Sequence, residues 1–319
     1  MATQHSPYGG PSPADFVLVT QRTAAAAAAT VGQAGGTREE ARAAGEATAG
    51  LWRPVIAEAC QNGPRSPWHL PERLDSEVGE IQIDGDDAII RPEIAETRRW
   101  EQDEEAALRK YVTPGSTVLD IGAHVGYFTL LMSQAVQEHG RVFAFEGDAW
   151  NHQLLVQNVL RNGARNVVPV YAALGAEPGI AHLRRDPGNN TGDHRVLDES
   201  SEWSHPVPVI TLDSVLADVE EISFAKVDLQ GADHLAILGM AETLRRCRPR
   251  MLVEFWPPGI KERGDDPVEV LGIYRSLGFV REVVDDLDID PELPDDAFAH
   301  AAENTEREFV NLLLTPESR

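Results

Sequence analysis

Apolar positions along this chain change period repeatedly. In "TVLDIGA" (residues 117–123) aliphatic and β-branched residues run almost unbroken around one acid, as in a strand buried on both faces. "VGYFTLLMSQAVQEH" then spaces its apolar residues as a helix does. The alternation continues. Strands are predicted at "RVFAFEG", "NVVPVYAALG", "ISFAKVDLQG" and "RMLVEFW", helices at "AWNHQLLVQNVLRNG", "DHLAILGMAETLRRC" and "VEVLGIYRSLGF", and a helical turn at "LDSVLADV". Such β-α alternation with apolar strands implies an α/β fold whose mostly parallel sheet is covered on both faces. Residues 180–209 interrupt it with a polar excursion of hairpin character. The closing pair, "VREVVDD" and "REFVNLLLTP", is separated by an acidic stretch read as a loop, so the last strand is expected to be antiparallel.

Ahead of this core, "EIQIDGDDAIIRPEI" alternates like a short hairpin turned at Asp84-Gly85. "WEQDEEAALRKYV" has helical spacing with acids in its first turns and stops before Pro114-Gly115. The first fifty residues are rich in Ala, Gly, Thr and Pro, which suits a flexible tail or an arm packed on a partner subunit. The expected organisation is a low-complexity tail over 1–50, an accessory or lid region over 51–100, and a ligand-binding domain over 101–319.

Composition narrows the function. With 319 residues and 42% hydrophobic content the chain can build a real core. A formal charge of −24 with no Lys/Arg-rich run would repel phosphate backbones, so nucleic acid is not the expected partner. No stretch reaches the roughly 18 apolar residues of a membrane span, and the N-terminus lacks a basic segment followed by a leucine-rich core, so a soluble, cytoplasmic protein is expected. Cys60 and Cys247 form neither a metal-ligand spacing nor a disulfide framework and read as buried small apolar residues in a reducing compartment. "DDLDIDPELPDD" fails as a calcium loop: counting from Asp286, the sixth position is Pro291 and the twelfth Ala297, where glycine and glutamate are needed. No metal is expected.

The chemistry concentrates in "VLDIGAHVGYF", where Asp120, Gly122, Ala123, His124 and Gly126 mark a strand-to-helix turn. Such a turn exposes backbone N–H groups at a helix N-terminus. A dinucleotide turn needs a bare middle glycine so that the backbone can touch a pyrophosphate, and here that position is His124. A ligand with a small amino-acid head group needs only Gly122 and a polar neighbour. S-adenosylmethionine is such a ligand, and Glu146, at the end of the second strand, can accept from both ribose hydroxyls. Taken singly, Gly122 and Gly126 read as ordinary strand-helix packing and Glu146 as a solvated strand end.

In order and spacing, "VLDIGAHVGYFTLL", "GRVFAFEGD", "NHQLLVQNVLRNG", "VYAALG", "NNTGDHRV", "VPVITLDSVL", "FAKVDLQGADHLAILGMAETLRRCRP" and "LVEFW" resemble the FkbM family of S-adenosylmethionine-dependent methyltransferases over residues 101–279. The resemblance implies a class I, Rossmann-like sheet of seven strands with the last antiparallel, and methylation of a small molecule, often a hydroxyl on a sugar or secondary metabolite. It places Asp120, Gly122 and His124 against the methionine part, Glu146 on the ribose, Gly147 and Asp148 beside the adenine, and Ala172 and Ala173 near the ring. Where the family pattern carries glutamates this chain has Gln230 and Asp233, and His124 stands where an asparagine is common.

For the chemical step, Asp228 follows the strand "FAKVDL" at the ligand edge and is read either as a contact to substrate or cofactor or as a cap of "DHLAIL". Glu254, a charge inside an apolar strand, is read either as a partner of Lys226 or as a group at the acceptor. Asn190 and Thr191, in a turn-forming loop, and Gln230 are candidate substrate contacts, while His194 and His205 are possible proton acceptors near neutral pH. The expected activity is methyl transfer from S-adenosylmethionine to a small-molecule oxygen. N- or carboxyl-methylation, a nicotinamide oxidoreductase and a non-catalytic adenosyl-binding protein are the alternatives. The oligomeric state is left open.

Overall fold

A computed structural model of the protein describes residues 71–184, 190–192, 194–197 and 204–317. The tail over 1–50, Cys60 and the first part of the accessory region lie outside the described residues. The chain enters through a hairpin, β1 (Glu72–Ser76) and β2 (Gly79–Ile83), followed by helices α1 (Ile90–Thr97) and α2 (Gln102–Tyr111). The hairpin thus turns at Glu77-Val78, not at Asp84-Gly85, and "IRPEIAET" is a helix. Asp87 explains the difference. Its buried Oδ1 accepts from the N–H groups of Ile89, Ile90 and Arg91, so the chain is captured into a helical turn where a second strand was expected.

The core follows as β3 (Thr117–Ile121), α3 (Tyr127–Val136), β4 (Arg141–Glu146), α4 (Ala149–Arg161) and β5 (Val167–Tyr171). Next come β6 (Ala173–Leu174), β7 (Gly179–Arg184), β8 (Arg195–Leu197), β9 (Ser204–Ile210) and the helical turn α5 (Leu212–Val215). The chain continues through β10 (Phe224–Val227), α6 (Asp233–Leu238), α7 (Ala241–Cys247), β11 (Arg250–Phe255) and α8 (Pro257–Glu262). It closes with α9 (Pro267–Ser276), β12 (Phe279–Val283), α10 (Asp295–Glu303) and β13 (Val310–Pro316).

Seven strands form the main sheet in the order β12-β13-β11-β10-β3-β4-β5, and β13 runs antiparallel between β11 and β12. Strand order reverses between β3 and β10, the position at which open α/β sheets bind ligands beyond their C-terminal strand ends. Both faces are covered. Val118 and Phe224 join a cluster with α3 and α4, while Leu119, Ile121, Ala225 and Val227 join one with α6, α7 and α9. The excursion becomes a second sheet, β6-β9-β7-β8, that leaves the main one at Ala173.

Three further expectations are corrected. "DHLAILGMAETLRRC" breaks into α6 and α7 because a Cβ on Gly239 would sit 2.0 Å from the Gly175 carbonyl oxygen, and because Asp213 caps α7 by accepting from Glu242 and Thr243. The stretch between the last two strands is not all loop, since α10 buries Phe298, Ala299 and Ala302. Cys247 is half-buried, with its thiol 3.5 Å from the Glu220 carbonyl.

The hairpin is fastened to the core by asparagines. Asn158, fully buried on α4, accepts from the Gln82 N–H at 2.8 Å and donates to the Gln82 and Val125 carbonyls. One turn on, Asn162 does the same for Glu80, accepting at 3.1 Å and donating at 2.8 Å. Two side chains four residues apart therefore complete the outer edge of β2 as a neighbouring strand would. With that edge satisfied, Ile81 and Ile83 are driven fully into the core shared with α4, each worth about 1.5–3 kcal/mol of burial.

Candidate active site

The turn after β3 is built around Gly122. Its φ is +83°, and a Cβ there would lie 1.8 Å from the Asp228 carbonyl oxygen, so only glycine lets the β3 and β10 ends meet. The N–H groups of Gly122 and Ala123 both donate to the Phe145 carbonyl. His124, at φ +49°, donates its backbone N–H to Glu146 Oε2 at 2.8 Å, while Glu146 Oε1 accepts from Asp148 N at 2.7 Å. Each carboxylate oxygen retains capacity for another donor, which is what two ribose hydroxyls require. Burial pushes the Glu146 carboxyl up to about 8, with the nearby Asp148 adding to it against the pull of the two N–H groups.

Beyond these strand ends opens a cavity of about 710 Å³. Gly122, Ala123, His124, Glu146 and Gly147 line it from the cofactor turn, Ala172 and Ala173 from the end of β5, and Asn190, Thr191 and His194 from the excursion. Asp228, Gln230 and Glu254 line the other half, and Ile89, Ile90 and Glu93 bring the accessory region into the wall. The small residues at 122, 147, 172 and 173 beside a buried carboxylate fit an adenosyl group.

Four expected site residues lie elsewhere. Gly126 (φ +94°) starts α3 and packs on α4, where a Cβ would meet Leu155 at 2.6 Å. Asp120 is fully buried behind the turn, its Oδ2 accepting from Thr129 at 2.5 Å, and burial pushes it up to about 6 against the attraction of Lys226. Asp148, expected beside the adenine, caps α4 through the N–H groups of Trp150 and Asn151. Its Oδ2 lies 3.7 Å from both His194 Nδ1 and His205 Nε2, which places His205, buried on β9, behind the cavity wall.

The far half of the cavity is organised by Lys226, a cation inside an apolar strand. Its Nζ lies 2.7 Å from Asp228 Oδ2, 3.3 Å from Glu104 Oε2 and 4.7 Å from the centre of the Phe128 ring. Burial opposes its charge, but Asp228 and Glu104 prevail and hold the ammonium well above its usual range. Glu104 in turn is raised to about 7 by burial, partly offset by Lys226. Lys226 is thus engaged by Asp228 and Glu104 rather than by Glu254. Asp228 does not cap α6, which has no side-chain cap; Asp233, its first residue, instead closes the preceding turn by accepting from Leu229 N and Gly231 N. Gln230 donates Nε2–H to Asp228 Oδ1 at 2.9 Å, a bond that an ionised glutamate at this position would lack.

Sequence reasoning missed Asp87. While Oδ1 caps α1, Oδ2 accepts from Thr191 N at 3.0 Å and from the Thr191 hydroxyl at 2.5 Å. Thr191 Oγ1 lies 2.9 Å from His124 Nε2. Since the hydroxyl proton goes to Asp87, the Thr191 oxygen accepts from Nε2–H, which fixes the tautomer of His124. Burial keeps that imidazole neutral by holding it below its usual range. The readable signal was an Asp three residues before "IRPEI", a cap placed ahead of a helix.

The model of the FkbM methyltransferase domain matches residues 120–281, about half of the chain. Similar solved structures include a precorrin-6y C5,15-methyltransferase from Geobacter metallireducens, at 13% identity over 69% of this chain and 90% of that one, with a TM-score of 0.40. A methyltransferase FkbM from Methylobacillus flagellatus is 15% identical over 66% of this chain and 50% of that one, with a TM-score of 0.39. TYW2 from M. jannaschii, in complex with AdoMet, is 12% identical over 78% and 85%, with a TM-score of 0.40. No curated protein matches the sequence. From the family match, together with the strand order and the glycine turn that leads to Glu146, it follows that this chain belongs to the FkbM family of S-adenosylmethionine-dependent methyltransferases.

Proposed function

We propose that the enzyme methylates a hydroxyl of a small molecule bound in the cavity, within a cofactor-binding domain over residues 101–319 to which the region before Trp100 adds one wall. The observation that carries this reading is the position of Asp228, whose carbonyl touches the cofactor turn at Gly122 and whose carboxylate faces the same cavity. The cofactor supplies an electrophilic methyl group on a positively charged sulfur, so the protein's task is chiefly alignment. Lys226 and Gln230 fix the two oxygens of Asp228 while leaving each able to accept again. Asp228 accepts the hydrogen bond of the acceptor hydroxyl and takes its proton late in the transfer, when the oxygen has become strongly acidic. An oxygen that carries both the new methyl group and its proton is far more acidic than a carboxylic acid, so a carboxylate suffices for that step. Asn190, Thr191 and His194 line the cavity from the excursion, where they would cover a bound cofactor.

The test supplies methyl-labelled S-adenosylmethionine to a pool of hydroxylated metabolites and, separately, to total RNA. Label is expected in the small-molecule fraction, and Asp228→Asn lowers its rate of appearance by about tenfold or more at saturating cofactor while leaving S-adenosylhomocysteine affinity within about twofold. Label in RNA overturns the acceptor class, and an undiminished rate in the variant overturns the role of Asp228.

A further inference from the structure

Away from the cofactor turn the cavity runs past the ends of β10 and β11 and the start of β13, and the side chains there are hydrogen-bond acceptors. Glu254 lines it beside Asn311, its cross-strand partner. Asn311 is only 3% exposed. Its backbone N–H and its Nδ2 both donate to Asp285, at 2.6 and 3.1 Å, which fixes which way the amide points. Oδ1 is thereby left buried with no hydrogen-bond partner among the described residues. An unpaired buried acceptor is costly, and a ligand N–H placed in the cavity would satisfy it.

Carboxyl groups also outnumber cations here. Glu101 and Glu104 line the same space, and Lys226, the buried cation among them, already serves Asp228 and Glu104. Arg307 is exposed at the rim beside Phe309. Burial, reinforced by Asp228, Asp233 and Glu101, holds Glu254 well above the usual carboxylate range, so the free protein favours the protonated acid and a positive ligand would displace that proton and pair with the carboxylate.

We propose that this end of the cavity binds a protonated amino group, so that the methyl acceptor is an amino alcohol of the amino-sugar kind, held by its ammonium between Glu254 and the Asn311 amide oxygen while its hydroxyl meets Asp228. The inference rests on the methyl-transfer reading above and names its substrate class. An ammonium has three donors and no acceptor, which matches a wall of carboxylate and amide oxygens. A neutral polyol offers Glu254 no charge to ionise against, and an anionic acceptor would be repelled by the carboxylate of Asp228.

The experiment titrates the wild-type protein, saturated with S-adenosylhomocysteine, by calorimetry at pH 7 with D-glucosamine and 2-deoxystreptamine, and with N-acetyl-D-glucosamine and glucose as uncharged counterparts. The amines are expected to bind about tenfold or more tightly than the uncharged sugars, the scale of one charge-assisted contact. Glu254→Gln, which keeps the shape, removes that preference without moving S-adenosylhomocysteine affinity. Equal affinity for charged and uncharged members, absence of binding by both amines, or a preference that survives Glu254→Gln overturns the proposal. Failure of S-adenosylhomocysteine to bind the wild-type protein strikes at the methyl-transfer reading instead.

Discussion

With the cofactor ribose assigned to Glu146, cofactor binding is expected to depend on pH. In the free protein its carboxyl titrates near 8, well above the ordinary 4.5, because it is buried. Ribose hydroxyls would donate to the ionised form, so binding is expected to expel a proton. S-adenosylhomocysteine affinity is therefore expected to fall by up to about tenfold per unit as pH drops below 8. Glu146→Gln should flatten that slope and weaken binding by about 1–3 kcal/mol, both measurable by calorimetry across pH. The stability contribution has the opposite sense: a raised acid favours the fold fully below 4.5 and loses that contribution as pH rises through 8. Asp87 acts at one remove. Asp87→Asn keeps the caps but turns one end of the side chain into a donor, so Thr191 loses its acceptor and His124 its fixed tautomer. The expected outcome is a rise in cofactor KM of about tenfold with a smaller change in kcat, and a shifted pH profile. A variant that only lowers Tm shows that Asp87 is a scaffold residue.

Among the elements, the β2 edge is the place where stability and site architecture meet. Asn158→Ala removes three buried hydrogen bonds and strands the Gln82 backbone groups, so a loss of about 2–4 kcal/mol is expected, read as a Tm drop of about 5–10 °C. Early proteolytic cleavage in the hairpin should accompany it, and an unaltered Tm would mean that apolar burial alone holds β2. The elements that the sequence makes legible are those whose two faces are both buried: β3, β4, β10 and β11 read as apolar runs because no solvent face dilutes the pattern. The less legible ones depend on tertiary contacts. The break between α6 and α7 is set by Gly239 against the Gly175 backbone, sixty-four positions away along the chain, and α10 hides because its buried residues beside Phe298 are two alanines and an aspartate. Within the site, Gly122 and Glu146 are legible because backbone geometry demands them. Asp87 and Asn311 are polar groups whose partners are distant in sequence, and "FVNLLL", one amide in an apolar strand, was the local clue to the second.

Over the whole molecule, a formal charge of −24 sets a field that draws cations in. S-adenosylmethionine carries two positive groups against one carboxylate, whereas S-adenosylhomocysteine is net neutral. Raising salt from about 10 mM to about 300 mM should weaken binding of the first by about threefold or more and leave the second nearly unchanged, because screening at the higher salt is effective beyond several ångströms. Equal salt sensitivity of the two ligands counts against a steering field. The contact between Gly122 and the Asp228 carbonyl has a consequence for how the enzyme can diversify. On the proposed function, it makes the turn assigned to the methyl donor and the strand end assigned to the acceptor a single strut. The donor-to-acceptor distance is therefore inherited whole, and new acceptors are gained by recutting what surrounds the strut, namely residues 190–192, α1 and the rim at Arg307 and Phe309. Directed evolution confined to those segments can exchange one acceptor for another without retuning the transfer itself.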